Sequence, residues 1–363
     1  MDYTRRDFGQ VVLAAVPAVT ALSDKALAQA VATKPNSKWA GVQVGMNVPY
    51  SWGTGNFITV DEVISRSVQL GLSGLELRAQ PIELFLGSPA AIAGAAAAGR
   101  RGGGGGRGAA PDAGRGAATP AANAGGAAAP AAGREGGGGR GAGRAAPTPE
   151  QQAAQRAAAE ETRKWRLGVS MDRVREVRRK FDEAGILVEI VKWDGINTMA
   201  DDELDYCFQV SRAVGAKALS AELNLEYSAR IGKFADKHQL PFGHHGHAQT
   251  AAMFEQAMAQ AKYNAVNLDL GHFTSNHGSP IEFIKKYHSR ITHVHVKDKK
   301  LNGGPNTPLG EGDTPIREVL QLARDNKWTF QATIEFEYTV PEGSDRMKEL
   351  AKCVAYCRSC LLG

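Results

Sequence analysis

Six of the nine histidines, His244, His245, His247, His272, His293 and His295, fall in three short stretches of the chain. Asp269 and Glu335 stand at comparable places in neighbouring stretches. Imidazole and carboxylate together suit a divalent ion, which polarises a substrate oxygen as a Lewis acid. Each of these residues alone has a plainer reading. A single histidine is ordinarily a hydrogen-bonded core residue, and a single inward glutamate is ordinarily a paired structural charge. Their gathering on successive elements is what points to a metal site.

The elements that would gather them are eight short strand-like runs, each followed by a helix-like segment. The runs are 42–47, 74–78, 187–193, 218–224, 241–247, 265–272, 291–297 and 330–337. Alternate strand residues face opposite sides. One set is apolar: Val42, Val44 and Met46; Leu75 and Leu77; Leu219, Ala221 and Leu223; Val266, Leu268 and Leu270; Val294 and Val296; Ile334 and Phe336. The opposite set holds Glu76, Glu189, Glu222, His245, His247, Asp269, His293, His295, Lys297, Glu335 and Glu337. So many ionisable groups cannot be buried unpaired, and most lie toward the C-terminal ends of the runs. Thr59 with Glu62, Ser279-Pro280 with Glu282, and Thr314-Pro315 read as helix starts. Eight β–α units predict an α/β fold of the closed (β/α)8 TIM-barrel type. No G-x-G-x-x-G follows the first run to support a doubly wound open sheet.

The chain has 363 residues, 43 basic and 38 acidic side chains, and 43% apolar content. Two segments stand apart. Residues 1–30 carry Thr4-Arg5-Arg6-Asp7-Phe8, an apolar run from Val11 to Leu22, and small-x-small sites around Ala28 and Ala30. They resemble a twin-arginine export signal, which predicts a periplasmic or extracellular protein, free of the membrane after cleavage. Residues 89–160 are rich in Gly and Ala and read as a low-complexity flexible insertion after the second strand. Their sparse Arg, with no interleaved aromatics, argue against nucleic-acid binding. The remainder forms a barrel domain within 31–363, close to the ~250 residues usual for this fold. Fibrous, coiled-coil and small disulfide-scaffold classes are excluded, and so is a membrane-spanning bundle. Cys207, Cys353, Cys357 and Cys360 read as buried small apolar residues, with a disulfide left open.

Four motifs in order, Asp269-Leu270-Gly271-His272, then His293-Val294-His295-Val296-Lys297-Asp298, then Gly310-Glu311-Gly312-Asp313, then Ile334-Glu335, resemble the xylose-isomerase-like TIM-barrel superfamily. More narrowly, they resemble its sugar phosphate isomerase/epimerase proteins. The likeness runs over roughly 40–90 and 160–363. It implies one divalent metal (Mn, Co, Zn or Mg) held by Asp269, His295 and Glu335 on strands six to eight. Glu335 is a catalytic candidate as well as a ligand, and His245, on strand five where the family often has Glu, is the fourth implied ligand. That departure removes one member of the carboxylate pair used by two-base epimerases. Glu222 is then a further ligand or the displaced base, His247 a further catalytic candidate, and His272 a substrate-binding or catalytic residue.

The chemistry implied is removal of a proton α to a carbonyl of a keto-sugar, through a metal-stabilised enediolate. Returning the proton gives an isomerase or epimerase, the leading expectation. Expelling a β-substituent gives a 3-keto-glycoside lyase. A non-catalytic metal-dependent sugar-binding protein is the expectation from a different class, and DNA repair on the same fold is disfavoured by the modest net charge of +5. Trp52 and Trp193 are candidates to stack on a sugar face or to pack at the rim. Lys297 would contact a substrate oxygen or pair with a carboxylate. The partner is a small-molecule carbohydrate, with no nucleic acid and with homo-oligomerisation left open.

Overall fold

The computed structural model describes residues 34–102 and 148–363. The signal-like segment 1–30 and most of the Gly/Ala-rich stretch lie outside the described residues. Eight parallel strands form the barrel: β1 (Val42–Val48), β2 (Gly74–Arg78), β3 (Leu187–Lys192), β4 (Ala218–Glu222), β5 (Phe242–His245), β6 (Asn264–Asp269), β7 (Ile291–Val296) and β8 (Gln331–Ile334). Each pairs with the next, and β8 pairs with β1 through Ala332↔Val44 and Ile334↔Met46. That last ladder closes the cylinder. Helices alternate with the strands and cover the outside, as βαβ connections require.

The apolar set drives this closure. Val44, Met46, Leu75, Leu77, Leu219, Val266, Leu268, Val294, Val296 and Ile334 are fully buried. They face helix residues such as Val174, Val177, Phe181, Val319 and Leu320, which belong to the same hydrophobic cluster. Burying each such side chain contributes about 1.5–3 kcal/mol. Thr59 caps the helix Val60–Gln69 as read, accepting the Glu62 N–H at 3.1 Å. The helices after Pro280 and Pro315 begin at Ile281 and Ile316, so both prolines sit at the cap rather than in the first turn. The Thr314 hydroxyl accepts the Lys299 N–H at 3.1 Å instead of capping.

Two strands carry an extra residue: β7, where Val266 pairs with Ile291 but Asn267 with His293, and β3, where the shift overturns the expected alternation. Leu75 pairs with Val188, but Glu76 pairs with Ile190, so Glu189 is an extra residue in β3. A bulge of this kind reverses the sidedness of everything after it. Glu189 therefore does not point into the barrel mouth and instead lies 2.7 Å from Lys217 Nζ, at the N-terminal end of β4. Lys192 takes the inward position. Trp193 turns outward, donating its indole N–H to Ser211 Oγ at 3.0 Å in helix Asp201–Ala213.

The expected low-complexity segment 89–160 is helical at both flanks. Pro89–Gly102 and Pro149–Gly168 are helices that pack together. Thr148, Pro149 and Gln151 form a capping box with proline in the first turn, which explains where the second helix starts. All four cysteines are buried and free.

Arg166 anchors the second flanking helix. Its guanidinium donates to Glu83 Oε1 and Glu203 Oε1, both at 2.8 Å, and the three side chains are nearly buried. Removing it would leave two carboxylates in a low-dielectric site without a counter-charge. We expect Arg166→Met to lower unfolding stability by about 3–5 kcal/mol, read from the urea midpoint. A midpoint within error of wild type would contradict this account.

Candidate metal centre

Every strand sends a polar side chain to the C-terminal mouth. Asn47 comes from β1, Glu76 from β2, Lys192 from β3, Glu222 from β4, His245 from β5, Asp269 from β6, and His293 and His295 from β7. Lys297 follows β7, and Glu335 and Glu337 follow β8. Glu76, His245, Asp269, His293, His295, Lys297 and Glu335 are buried.

Among them, His245, Asp269, His295 and Glu335 each present one donor atom, and these four atoms all lie within 4.8 Å of one another. The set brought together is the one the resemblance implied. Neighbours orient each donor. His295 Nε2 lies 2.7 Å from Glu76 Oε2, which fixes the tautomer and leaves Nδ1 facing Glu335 Oε2 at 3.3 Å and Asp269 Oδ2 at 3.6 Å. Glu76 is shared with His293 Nε2 at 3.2 Å. Burial opposes its ionisation, yet His295 and His293 hold its carboxyl well below the usual range. Asp269 ends β6 and starts the helix Leu270–His277, with Oδ1 accepting the His272 N–H at 2.7 Å. That cap is why the strand stops at residue 269 rather than 272. Asn47 Nδ2 donates to Glu335 Oε1 at 2.8 Å.

The centre suits a divalent cation on its own evidence. His245 Nδ1 is buried with no hydrogen-bond partner, an expensive arrangement unless something completes it. Burial pushes the His245 pKa well down, so its imidazole is neutral and free to donate a lone pair. Two imidazoles and two carboxylates form a mixed N/O donor set fit for Mn, Co or Zn, and less for Mg.

Lys297 sits against the same carboxylates. Its Nζ lies 2.6 Å from Glu335 Oε2, 3.1 Å from Asp269 Oδ2, 2.8 Å from Glu337 Oε2 and 3.1 Å from His272 Nε2. Burial disfavours its charge, but Asp269, Glu335 and Glu337 outweigh that and hold the ammonium protonated. Of the two readings of Lys297, the carboxylate pairing is the one observed.

A second group lines the side nearer β4. Glu222 lies 3.2 Å from Lys192 Nζ, 3.1 Å from His247 Nε2 and 4.0 Å from His245 Nε2. Glu222 and His247 are about half exposed and open to the mouth. Glu222 draws the His247 pKa up, and the His247 ring lies 4.6 Å from that of His272.

Other expected residues are elsewhere. Trp193 packs edge-on to Tyr206 at 5.8 Å, in the layer between strands and helices. Trp52 is buried in the core beside Arg66, 5.9 Å from its ring. Neither offers a face to the mouth, because both belong to the outward parity or the helix layer. His244 has the opposite parity to His245 and is also outward; burial lowers its pKa to about 4. Asp298 pins the motif loop, its carboxylate accepting the N–H groups of Gly310, Gly312 and Thr314 at 2.8, 2.9 and 3.2 Å. Asn47, Lys192 and Tyr50, whose hydroxyl donates to Glu337 Oε1 at 2.7 Å, are site residues that sequence reasoning missed. The inward parity of Asn47 with Glu76 was a usable signal; the bulge hid Lys192.

No family model matches the chain. An inosose dehydratase of Bacillus cereus (strain AH820) is 31% identical over 118 residues, 31% of this chain and 34% of the relative. The chain thus spans about a third of the length of that curated relative. A D-psicose 3-epimerase from Clostridium cellulolyticum H10 superposes with a TM-score of 0.53 at 12% identity, over 88% of this chain and 99% of that one. A sugar phosphate isomerase/epimerase from Parabacteroides distasonis ATCC 8503 gives 0.51 at 12% identity, over 96% and 100%. At these identities the structural likeness shows the barrel fold.

Two outcomes test the centre. Elemental analysis of protein purified in Mn- or Zn-supplemented medium should show less bound metal in Asp269→Ala and His295→Ala than in wild type. Unchanged content in both would remove these residues as ligands. Lys297 competes for the same carboxylates, so Lys297→Met should lower the melting temperature of chelator-stripped protein while tightening metal binding by titration calorimetry. Weaker metal binding in this variant would mean that the ammonium supports the ion rather than opposing it.

Proposed function

We propose that this chain is a divalent-metal-dependent enzyme that removes a proton α to the carbonyl of a keto-sugar and completes the reaction by expelling a β-substituent. The observation that carries this reading is the four-donor centre with unlike groups on its two sides. On one side stands a carboxylate–imidazole pair, Glu222 and His247; on the other stand a protonated amine and a phenol, Lys297 and Tyr50.

A cation held by His245, Asp269, His295 and Glu335 would supply the Lewis acidity that draws charge onto a carbonyl oxygen. Glu222 takes the α-proton on a carboxylate oxygen. Burial works against its charge, but Lys192 and His247 keep it ionised, and His247 Nε2 at 3.1 Å receives hydrogen-bonded charge as it changes. The C–H electron pair becomes the new C=C bond as the β C–O bond breaks. The leaving oxygen takes a proton from Lys297 Nζ, which Glu337 and His272 keep in place. Elimination needs one base and one acid, and the two sides supply one of each. An epimerase of the two-base kind needs groups that exchange roles, and an imidazole at position 245 removes one of them. The dehydratase name of the curated relative, a loss of water by its wording, supports the same choice.

Isomerisation or epimerisation remains the second reading, favoured by the solvent-open Glu222–His247 pair, which can return the proton it takes. Export to the periplasm or beyond, suggested by residues 4–30, accords with a glycoside substrate rather than a phosphorylated one.

The test incubates metal-loaded protein with free ketoses and with 3-keto-glycosides in deuterated water. We expect aglycone release from the glycosides and Glu222→Gln to slow α-proton exchange about 10²–10⁴-fold at unchanged metal content. Ketose interconversion without aglycone release would replace elimination by isomerisation. Sugar binding with no exchange at all would make the chain a binding protein.

A further inference from the structure

The rim above β2 and β3 carries a polar group that this chemistry does not use. Arg78, the last residue of β2, donates from Nη1 to Asp194 Oδ2 at 2.7 Å and lays its guanidinium 4.6 Å from the centre of the Tyr50 ring. Gln80 Nε2 donates to the same Asp194 oxygen at 3.1 Å. The Tyr50 hydroxyl donates to Glu337 Oε1 at 2.7 Å, and Glu337 Oε2 accepts from Asn306 Nδ2 at 3.3 Å. Glu337 also touches Lys297, so this shelf joins the centre directly.

Three atoms of the shelf are buried with no hydrogen-bond partner: Arg78 Nε, Gln80 Oε1 and Asn306 Oδ1. Folded proteins seldom leave several such atoms together unless a ligand or water completes them. They comprise one donor and two amide acceptors, which is the complement of vicinal hydroxyl groups. The Arg78 charge is already matched by Asp194, and Glu76, Glu335 and Glu337 lie nearby. The shelf is therefore not electropositive, and an anion would gain little there.

The geometry points to a second subsite, formed by Arg78, Gln80 and Asn306 beside Tyr50, that binds an uncharged hydroxylated ring. On the proposed reading, from which this inference takes its substrate class, that ring is the group attached to the keto-sugar. The centre thus handles the reacting ring, and the shelf holds the leaving one.

The test compares cellobiose with methyl β-D-glucopyranoside, both unreactive for lack of a keto group, by titration calorimetry and saturation-transfer NMR on the metal-loaded full chain. Cellobiose is expected to bind at least tenfold tighter. Gln80→Leu and Arg78→Met should each erase that difference without changing affinity for the methyl glucoside. Arg78→Met leaves Asp194 without its partner, so melting curves accompany both variants, and Gln80→Leu carries the test if the other unfolds. Equal affinity for the two sugars, no measurable cellobiose binding, or a difference that survives Gln80→Leu overturns the subsite. Competition by inorganic phosphate that these substitutions relieve overturns it too, as an anion site. Absence of α-proton exchange on any keto-sugar sinks the proposed reaction and leaves the subsite result standing.

Discussion

The barrel mouth depends on charge balance in a place with little water. Asp269, Glu335 and Glu76 are buried carboxylates on three different strands or strand ends, and taking any one out of water alone would be prohibitive. They are tolerable because His293, His295 and Lys297 lie among them at 2.6–3.6 Å. Outward packing of the apolar set fixes the cylinder, and the cylinder brings these charges into mutual reach. Packing alone would not place them. Glu76 sets the His295 tautomer, the first turn of the helix Leu270–His277 holds one oxygen of Asp269, and Asn47 holds one oxygen of Glu335. Three donors of the centre are thus each aimed by a different kind of hydrogen bond.

Much of this was legible in the residues because strand sidedness is a strict period of two. Where a strand runs without irregularity, as in β1, β4 and β5, alternation sorted inward from outward side chains correctly. All four residues that the family resemblance implied as ligands belong to that inward set. It failed at β3, where one extra residue, Glu189, reversed the order. Sequence carries no local sign of a bulge between Val188 and Ile190, so Lys192 was overlooked, and of the two readings of Trp193 it is packing that the structure shows. Tyr50 was overlooked for a different reason. It lies in the short turn Tyr50–Trp52 after β1, where no periodicity applies, and only the return of the chain at Glu337 gives it a role.

The two sides of the mouth differ in what they can exchange with water. Glu222 and His247 are half exposed, whereas Lys297 is enclosed by three carboxylates and an imidazole. A base in contact with solvent can shed a captured proton between turnovers. An enclosed ammonium gives up its proton only to something placed beside it. On the proposed reading, this asymmetry separates the roles of acid and base without requiring either residue to have an unusual position on the fold.

The paired helices Pro89–Gly102 and Pro149–Gly168 have a consequence for how the molecule could be divided. The chain leaves and rejoins the barrel at adjacent points, which parts it into two strands before the excursion and six after it. All four donors of the centre come from the six-strand piece. Of the residues that aim or flank them, Asn47, Tyr50, Glu76 and Arg78 come from the two-strand piece. Severed there and mixed, the halves would have to recover the β8–β1 and β2–β3 seams before His295 and Glu335 could be properly aimed, so complementation between fragments would report assembly of the centre itself.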